Sequence, residues 1–84
     1  MPGLVNAHTH LPMTIFRSIA DDMELNEWLF NRIIPLEDRL EDDDVYWGAT
    51  LAMAELIKGG VTCFNDMYMF PPMLLDVALR TGMR

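Results

Sequence analysis

The 84 residues carry 13 acidic against 6 basic side chains, a net charge of −7, whereas nucleic acid or an anionic membrane surface as partner would demand clustered Lys and Arg. A single cysteine excludes an internal disulfide framework and suits a reducing compartment, the cytoplasm; no segment reads as a signal peptide or reaches the roughly 20 apolar residues of a membrane span. Apolar residues make up 51% of a chain short enough to bury only roughly 60–65% of its unfolded surface, so several segments are expected to need neighbours to cover them.

Leu4, Val5 and Ala7 follow a Pro2-Gly3 turn as a short apolar run without helical period, which predicts a buried strand. It ends in His8-Thr9-His10. Side chains two apart on a strand point the same way, about 6.6 Å apart along it. Two imidazoles so placed can converge on one ion about 2.0–2.1 Å from each nitrogen, with Thr9 turned to the other side. The pair sits where the apolar run gives way to polar residues and a proline, at the carboxyl end of the strand, where parallel α/β folds keep ligands and catalysts. Taken alone, a His-x-His is more often a surface pair than a metal site.

Leu11 to Ile19, interrupted by Pro12 and closed by Asp21-Asp22, predicts a loop with at most one irregular turn. Between Glu24 and Ile34, Leu25, Trp28, Leu29 and Ile33 recur at spacings of three and four, a short amphipathic helix with Asp22 as cap and Pro35 ending or kinking it. Leu36 to Leu40 forms a further turn. Glu41-Asp42-Asp43-Asp44 could bind a cation through oxygen ligands, but acids crowd the first turn of a helix, where free amides and the dipole favour them, and that reading is preferred. The helix Val45 to Lys58 follows and stops at Gly59-Gly60. Val61 to Asn65 predicts a second strand, with Cys63 as a small buried hydrophobe. Strand, helix and strand form one βαβ unit, with a loop and short helix inserted before the crossover helix. Pro71-Pro72 opens a last helix in which Leu74, Leu75, Ala78 and Leu79 supply apolar contacts, and Gly82 ends it.

The run from Pro2 to Met13, the stretch Arg17 to Asp22, Glu27-Trp28-Leu29, Pro35-Leu36-Glu37-Asp38-Arg39 and Phe64-Asn65-Asp66-Met67-Tyr68 together resemble the metal-dependent amidohydrolases. The branch concerned contains adenosine-type, methylthioadenosine/S-adenosylhomocysteine and guanine deaminases and the triazine hydrolases, and the chain is most like the methylthioadenosine/S-adenosylhomocysteine deaminases. The likeness covers essentially the whole chain and is more specific for the family than for a substrate. It implies an α/β fold, the first two strands of a (β/α)8 TIM barrel with their helices. Residues 1–84 are then a partial domain of a barrel of about 250 residues or more, with Met1 an internal methionine.

The resemblance further implies that His8 and His10 are metal ligands, completed by histidines and an aspartate from later strands outside this stretch. The ion is one divalent metal, zinc first, with iron or manganese as alternatives. Glu37 matches a substrate-binding glutamate, a carboxylate able to accept from two vicinal ribose hydroxyls; its bland alternative is a solvated acid paired with Arg39 or Arg32. Trp28 is implied at the site mouth, against a purine or thioether, while its stripe position alone argues for core. Asp66 either supports the metal site from outside or satisfies loop amides. The implied reaction is hydrolytic deamination of an adenosine-type nucleoside, in which hydroxide available at neutral pH attacks the ring carbon bearing the amine and ammonia leaves. No catalytic acid or base falls within these residues. The rivals are a triazine or other heterocycle hydrolase that expels chloride or an alkylamine, and a non-catalytic truncated or docking chain.

Overall fold

Two short runs rich in apolar and β-branched residues, Leu4–Thr9 (β1) and Val61–Asp66 (β2), pair in parallel in the computed structural model, which describes every residue from Met1 to Arg84. Parallel neighbours cannot be joined by a tight turn, and the chain between them is largely helical. A 3₁₀ helix spans Leu11–Phe16. Then come α1 (Leu25–Trp28), a π turn (Leu29–Ile33), α2 (Ile34–Glu37) and the long α3 (Asp42–Lys58), while α4 (Pro71–Thr81) follows β2. The βαβ unit read from the sequence is present, with the expected insertion before α3. No helix is long and apolar enough to cross a membrane.

The acidic run starts α3: Asp44 Oδ2 accepts the Glu41 backbone N–H at 3.0 Å, Asp42 to Asp44 occupy the first turn, and Lys58 lies in the last, each charge facing the favourable end of the dipole. The second helix end is set by Gly82, whose φ of 75° caps α4 in a conformation that a Cβ would oppose. Leu11, Ala49, Ala52, Met53, Leu74, Val77, Ala78 and Met83 form the buried cluster where α3, α4 and the 3₁₀ helix meet.

Several expectations are corrected. Leu11 to Phe16 is a six-residue 3₁₀ helix rather than a loop, because Pro12 falls in its first turn, where a missing N–H costs nothing. Helix does not stop at Pro35 but runs unbroken from Leu25 to Glu37. The Ile34 N–H reaches back five residues to the Leu29 carbonyl, and this wider turn makes room for a ring that would collide with the carbonyl four residues earlier. Glu24, not Asp22, is the cap, accepting from the N–H groups of Asn26 at 3.0 Å and Glu27 at 3.3 Å. Leu25 is 66% exposed and leaves the apolar stripe, whereas Ile33 is buried. β1 is open rather than buried, with Val5 68% exposed; Leu75 and Leu79 on α4 are exposed, and Cys63 is half-buried. For the strand and α4 residues the cause is shared: the two-stranded sheet packs on helices on one side only and α4 has no outer neighbour, whereas parallel strands and the helices on them are apolar on faces that other elements must cover.

The carboxyl ends of the strands depart from a regular ladder. Asn6 pairs with Phe64 and Thr9 with Asp66, so β1 carries one extra residue in that interval. The backbone groups released by this bulge find side chains: His8 N–H donates to Asn6 Oδ1 at 3.2 Å and Asn65 Nδ2 donates to the Ala7 carbonyl at 3.3 Å. Asp66 closes the end. Its Oδ2 accepts from Leu11 N–H at 2.8 Å and the Thr9 hydroxyl at 2.9 Å, and its Oδ1 from Tyr68 N–H at 2.8 Å. The loop-amide role open to Asp66 from sequence is present in these bonds.

Behind the rim, α3 rides on the 3₁₀ helix at Gly48, where a Cβ would stand 2.6 Å from the Pro12 carbonyl oxygen, and the Thr14 hydroxyl donates to the Gly48 carbonyl at 2.7 Å. Arg17 adds a fork onto Glu55 at 2.9 and 2.8 Å, a hydrogen-bonded pair that draws the Glu55 carboxyl below its ordinary value of 4.5. That contribution is present above this value and fades as pH falls through the depressed one.

Helix propensity alone favours Gly48→Ala by about 1 kcal/mol, yet the close approach makes a loss of about 1–3 kcal/mol the expected result, read as a lower melting temperature. A raised melting temperature would mean that α3 can shift off the 3₁₀ helix. Asp66→Ala leaves the Leu11 and Tyr68 N–H groups without their acceptor, while the Thr9 hydroxyl keeps the Asn65 carbonyl at 3.0 Å, and is expected to destabilise by about 2–4 kcal/mol. Asp66→Asn, with one acceptor oxygen, should fall between, and equal melting of all three proteins would remove Asp66 from this role.

Candidate metal centre and adjoining cleft

β1 contains His8, and His10 stands one residue past its end. Simple alternation cannot by itself place the pair, because the extra residue between Asn6 and Thr9 shifts the phase and His10 has left strand geometry, at φ −134° and ψ 71°. The rings nevertheless converge. Their Nε2 atoms lie 3.0 Å apart, with ring centroids at 5.0 Å and planes at 80°. Two ligands about 2.0–2.1 Å from a common ion stand roughly 3 Å apart when adjacent in its coordination sphere, so the donor atoms fit a shared divalent ion. The same spacing serves a hydrogen bond when one Nε2 carries a proton. No group of three or more His, Cys, Asp or Glu side chains forms a metal cluster, and a catalytic zinc takes about three protein ligands. Two imidazoles would supply only two of these.

Beside His10 opens a cleft of about 450 Å³, lined by Trp28, Glu37 and Tyr68 together with Met13, Met67 and Met69. Trp28 ends α1 and Glu37 ends α2. Nine residues along an unbroken α-helix amount to about 180° of rotation, which would set them on opposite sides. The π turn between them underwinds the segment, and both reach one cleft. Trp28 is half-buried and lies outside the core cluster, so the core reading of its stripe position gives way to the cleft.

Glu37 pairs with neither Arg32 nor Arg39; the ion pairs of the chain are Arg17 with Glu55 and Arg80 with Asp76. Its partner is Tyr68, whose hydroxyl donates to Glu37 Oε1 at 2.7 Å. Burial, and after it the Glu37 carboxylate, pushes the Tyr68 phenol above its ordinary value of 10, which keeps it a proton donor throughout the neutral range. The Tyr68 ring also meets His10 edge-on, with centroids 6.3 Å apart. Sequence reasoning gives Tyr68 no role. The available signal was its place two residues beyond Asp66, in the loop that leaves the second strand on the side where His10 leaves the first.

The model of the amidohydrolase family matches residues 1–84. The chain is 52% identical over 84 residues to the 5-methylthioadenosine/S-adenosylhomocysteine deaminase 1 of Archaeoglobus fulgidus and 50% identical to the 5′-deoxyadenosine deaminase of Methanocaldococcus jannaschii, in each case over all of this chain and 20% of the relative. It thus spans about a fifth of the length of the curated relatives it matches. Among solved structures, an adenosine deaminase from Xanthomonas campestris with bound zinc superposes with a TM-score of 0.94 at 47% identity, over 100% of this chain and 19% of that one. The α/β class and the (β/α)8 barrel expected from the sequence agree with that match. With a family model that covers every residue and relatives at half identity along the full chain, the protein belongs to the amidohydrolase family.

Proposed function

We propose that residues 1–84 form the first two strands and accompanying helices of a (β/α)8 barrel whose complete form is a metal-dependent hydrolytic deaminase of adenosine-type nucleosides. The observation that carries this reading is the shared opening: His10, whose Nε2 meets that of His8 at 3.0 Å, lines one cleft with Glu37. His8 and His10 are read as two ligands of a divalent ion, zinc by preference. When bound, such an ion supplies Lewis acidity and a hydroxide nucleophile at neutral pH. The chain's own residues bind and orient. Glu37 accepts from the vicinal hydroxyls of a ribose, and Trp28 offers a flat apolar face to the base or its 5′ substituent. The remaining ligands and the group that moves protons are assigned to other barrel strands, and the cytoplasm is the inferred location. The names of the relatives, all nucleoside deaminases among those given above, support this substrate class over a triazine or other heterocycle.

In the complete protein, His8→Ala or His10→Ala is expected to lower zinc affinity by well over the roughly 10–100-fold that loss of a supporting residue costs. Metal content after dialysis against a chelator reads this, and full zinc occupancy in both variants would reject the ligand pair. Glu37→Ala should raise KM for adenosine-type nucleosides roughly 10–100-fold, the scale of a lost hydrogen bond to a charged group, and spare the free base. Equal losses on nucleoside and base would favour the heterocycle reading.

A further inference from the structure

Glu37 is the last residue of the helical run that starts at Leu25, and its side chain has three torsions to fix before it can receive a ligand. No Arg or Lys pairs with its carboxylate. One phenol does the steadying instead, through the 2.7 Å bond from the Tyr68 hydroxyl to Oε1. Tyr68 is itself held. Its N–H donates to Asp66 Oδ1 at 2.8 Å, and Asp66 Oδ2 accepts from Thr9 and Leu11, the residues on either side of His10. A continuous line of hydrogen bonds therefore runs from the backbone that presents His10 to the carboxylate of Glu37. The edge-on contact between the Tyr68 and His10 rings follows the same line. A carboxylate offers about four lone-pair positions, so one bond from a phenol still leaves both oxygens able to accept.

From this we infer that Tyr68 is a positioning residue that fixes the Glu37 carboxylate, at a set distance from the histidine pair, for a vicinal diol, and thereby makes the site prefer ribonucleosides over sugars that lack the 2′ and 3′ hydroxyls. The inference rests on the sugar-binding reading of Glu37. Tyr68→Phe deletes one oxygen and keeps the ring against His10, so the effect is confined to the carboxylate. The phenol neither gives up its proton nor touches the reacting carbon.

The test uses the complete zinc-loaded protein with adenosine and 2′,3′-dideoxyadenosine as the paired probes. Tyr68→Phe is expected to raise KM for adenosine about tenfold with little change in kcat, so that the ratio of KM between the two nucleosides collapses. In a Glu37→Ala background the same substitution should add nothing to that ratio. A loss equal on both nucleosides, or one confined to kcat, would make Tyr68 merely structural and overturn the inference. Should Glu37→Ala abolish discrimination while Tyr68→Phe preserves it, the inference fails and the sugar reading of Glu37 stands; should Glu37→Ala leave discrimination intact, that reading fails and the inference with it. Melting temperature and zinc content establish that the variants are folded. If Tyr68→Phe does not fold, Glu37→Asp withdraws the carboxylate from the phenol by one methylene and is held to the same collapse of the ratio.

Discussion

The rim of this molecule depends on one carboxylate. Asp66 stands at the end of β2 and takes hydrogen from both sides of His10, through Thr9 and Leu11, and from the backbone of Tyr68. Three donors on two oxygens define where the first strand ends, how the 3₁₀ helix departs and where the loop after β2 turns. Neither strand could set this by itself, since β1 carries an unpaired extra residue just before the clamp. A bulge at this point re-aims side chains, and the clamp holds the new aim. Asn6 and Asn65 complete the arrangement by supplying the polar partners that a regular ladder would have provided, in keeping with the high cost of leaving backbone groups unpaired.

A second departure from regularity builds the cleft. Pro35 would break an ordinary helix, and the chain answers with a π turn, in which Ile34 bonds to Leu29 across five residues. The underwinding turns Trp28 and Glu37 toward the same opening as His10. Local irregularities in both the strand and the helix thus bear on the same small volume, as is common where backbone geometry serves a site rather than the core. Tyr68 links the two, being tied to the strand clamp through its amide and to the helical segment through its hydroxyl.

The apolar surfaces follow from the architecture. Only 12 of 84 residues are buried, although half the chain is apolar, because the two-stranded sheet leaves Leu4 and Val5 open and α4 turns Leu75 and Leu79 outward. In a (β/α)8 barrel strands are covered on both faces and helices pack sideways on one another. The chain covers a fifth of its relatives' length, and these faces are where a barrel would continue. The buried cluster of α3, α4 and the 3₁₀ helix is the part that needs no such neighbours.

What the sequence determined by itself is whatever short-range physics decides. Carboxylates from Glu41 to Asp44 start α3 and Gly59-Gly60 ends it, β-branched and aromatic residues make β2 a strand, Pro71-Pro72 and Gly82 bound α4, and His8 and His10 fall two residues apart where the first apolar run ends. The family was legible for the same reason, since its marks are runs of consecutive residues. Only the tertiary structure decided that the strand bulges before the histidines, that helix passes through Pro35, that Leu25 and Val5 face outward and that Glu37 answers to a tyrosine 31 residues away rather than to a neighbouring arginine. Register, rotation around a helix and the partner of a polar group are set by what lies across space, and a one-dimensional pattern holds no record of the element on the other side.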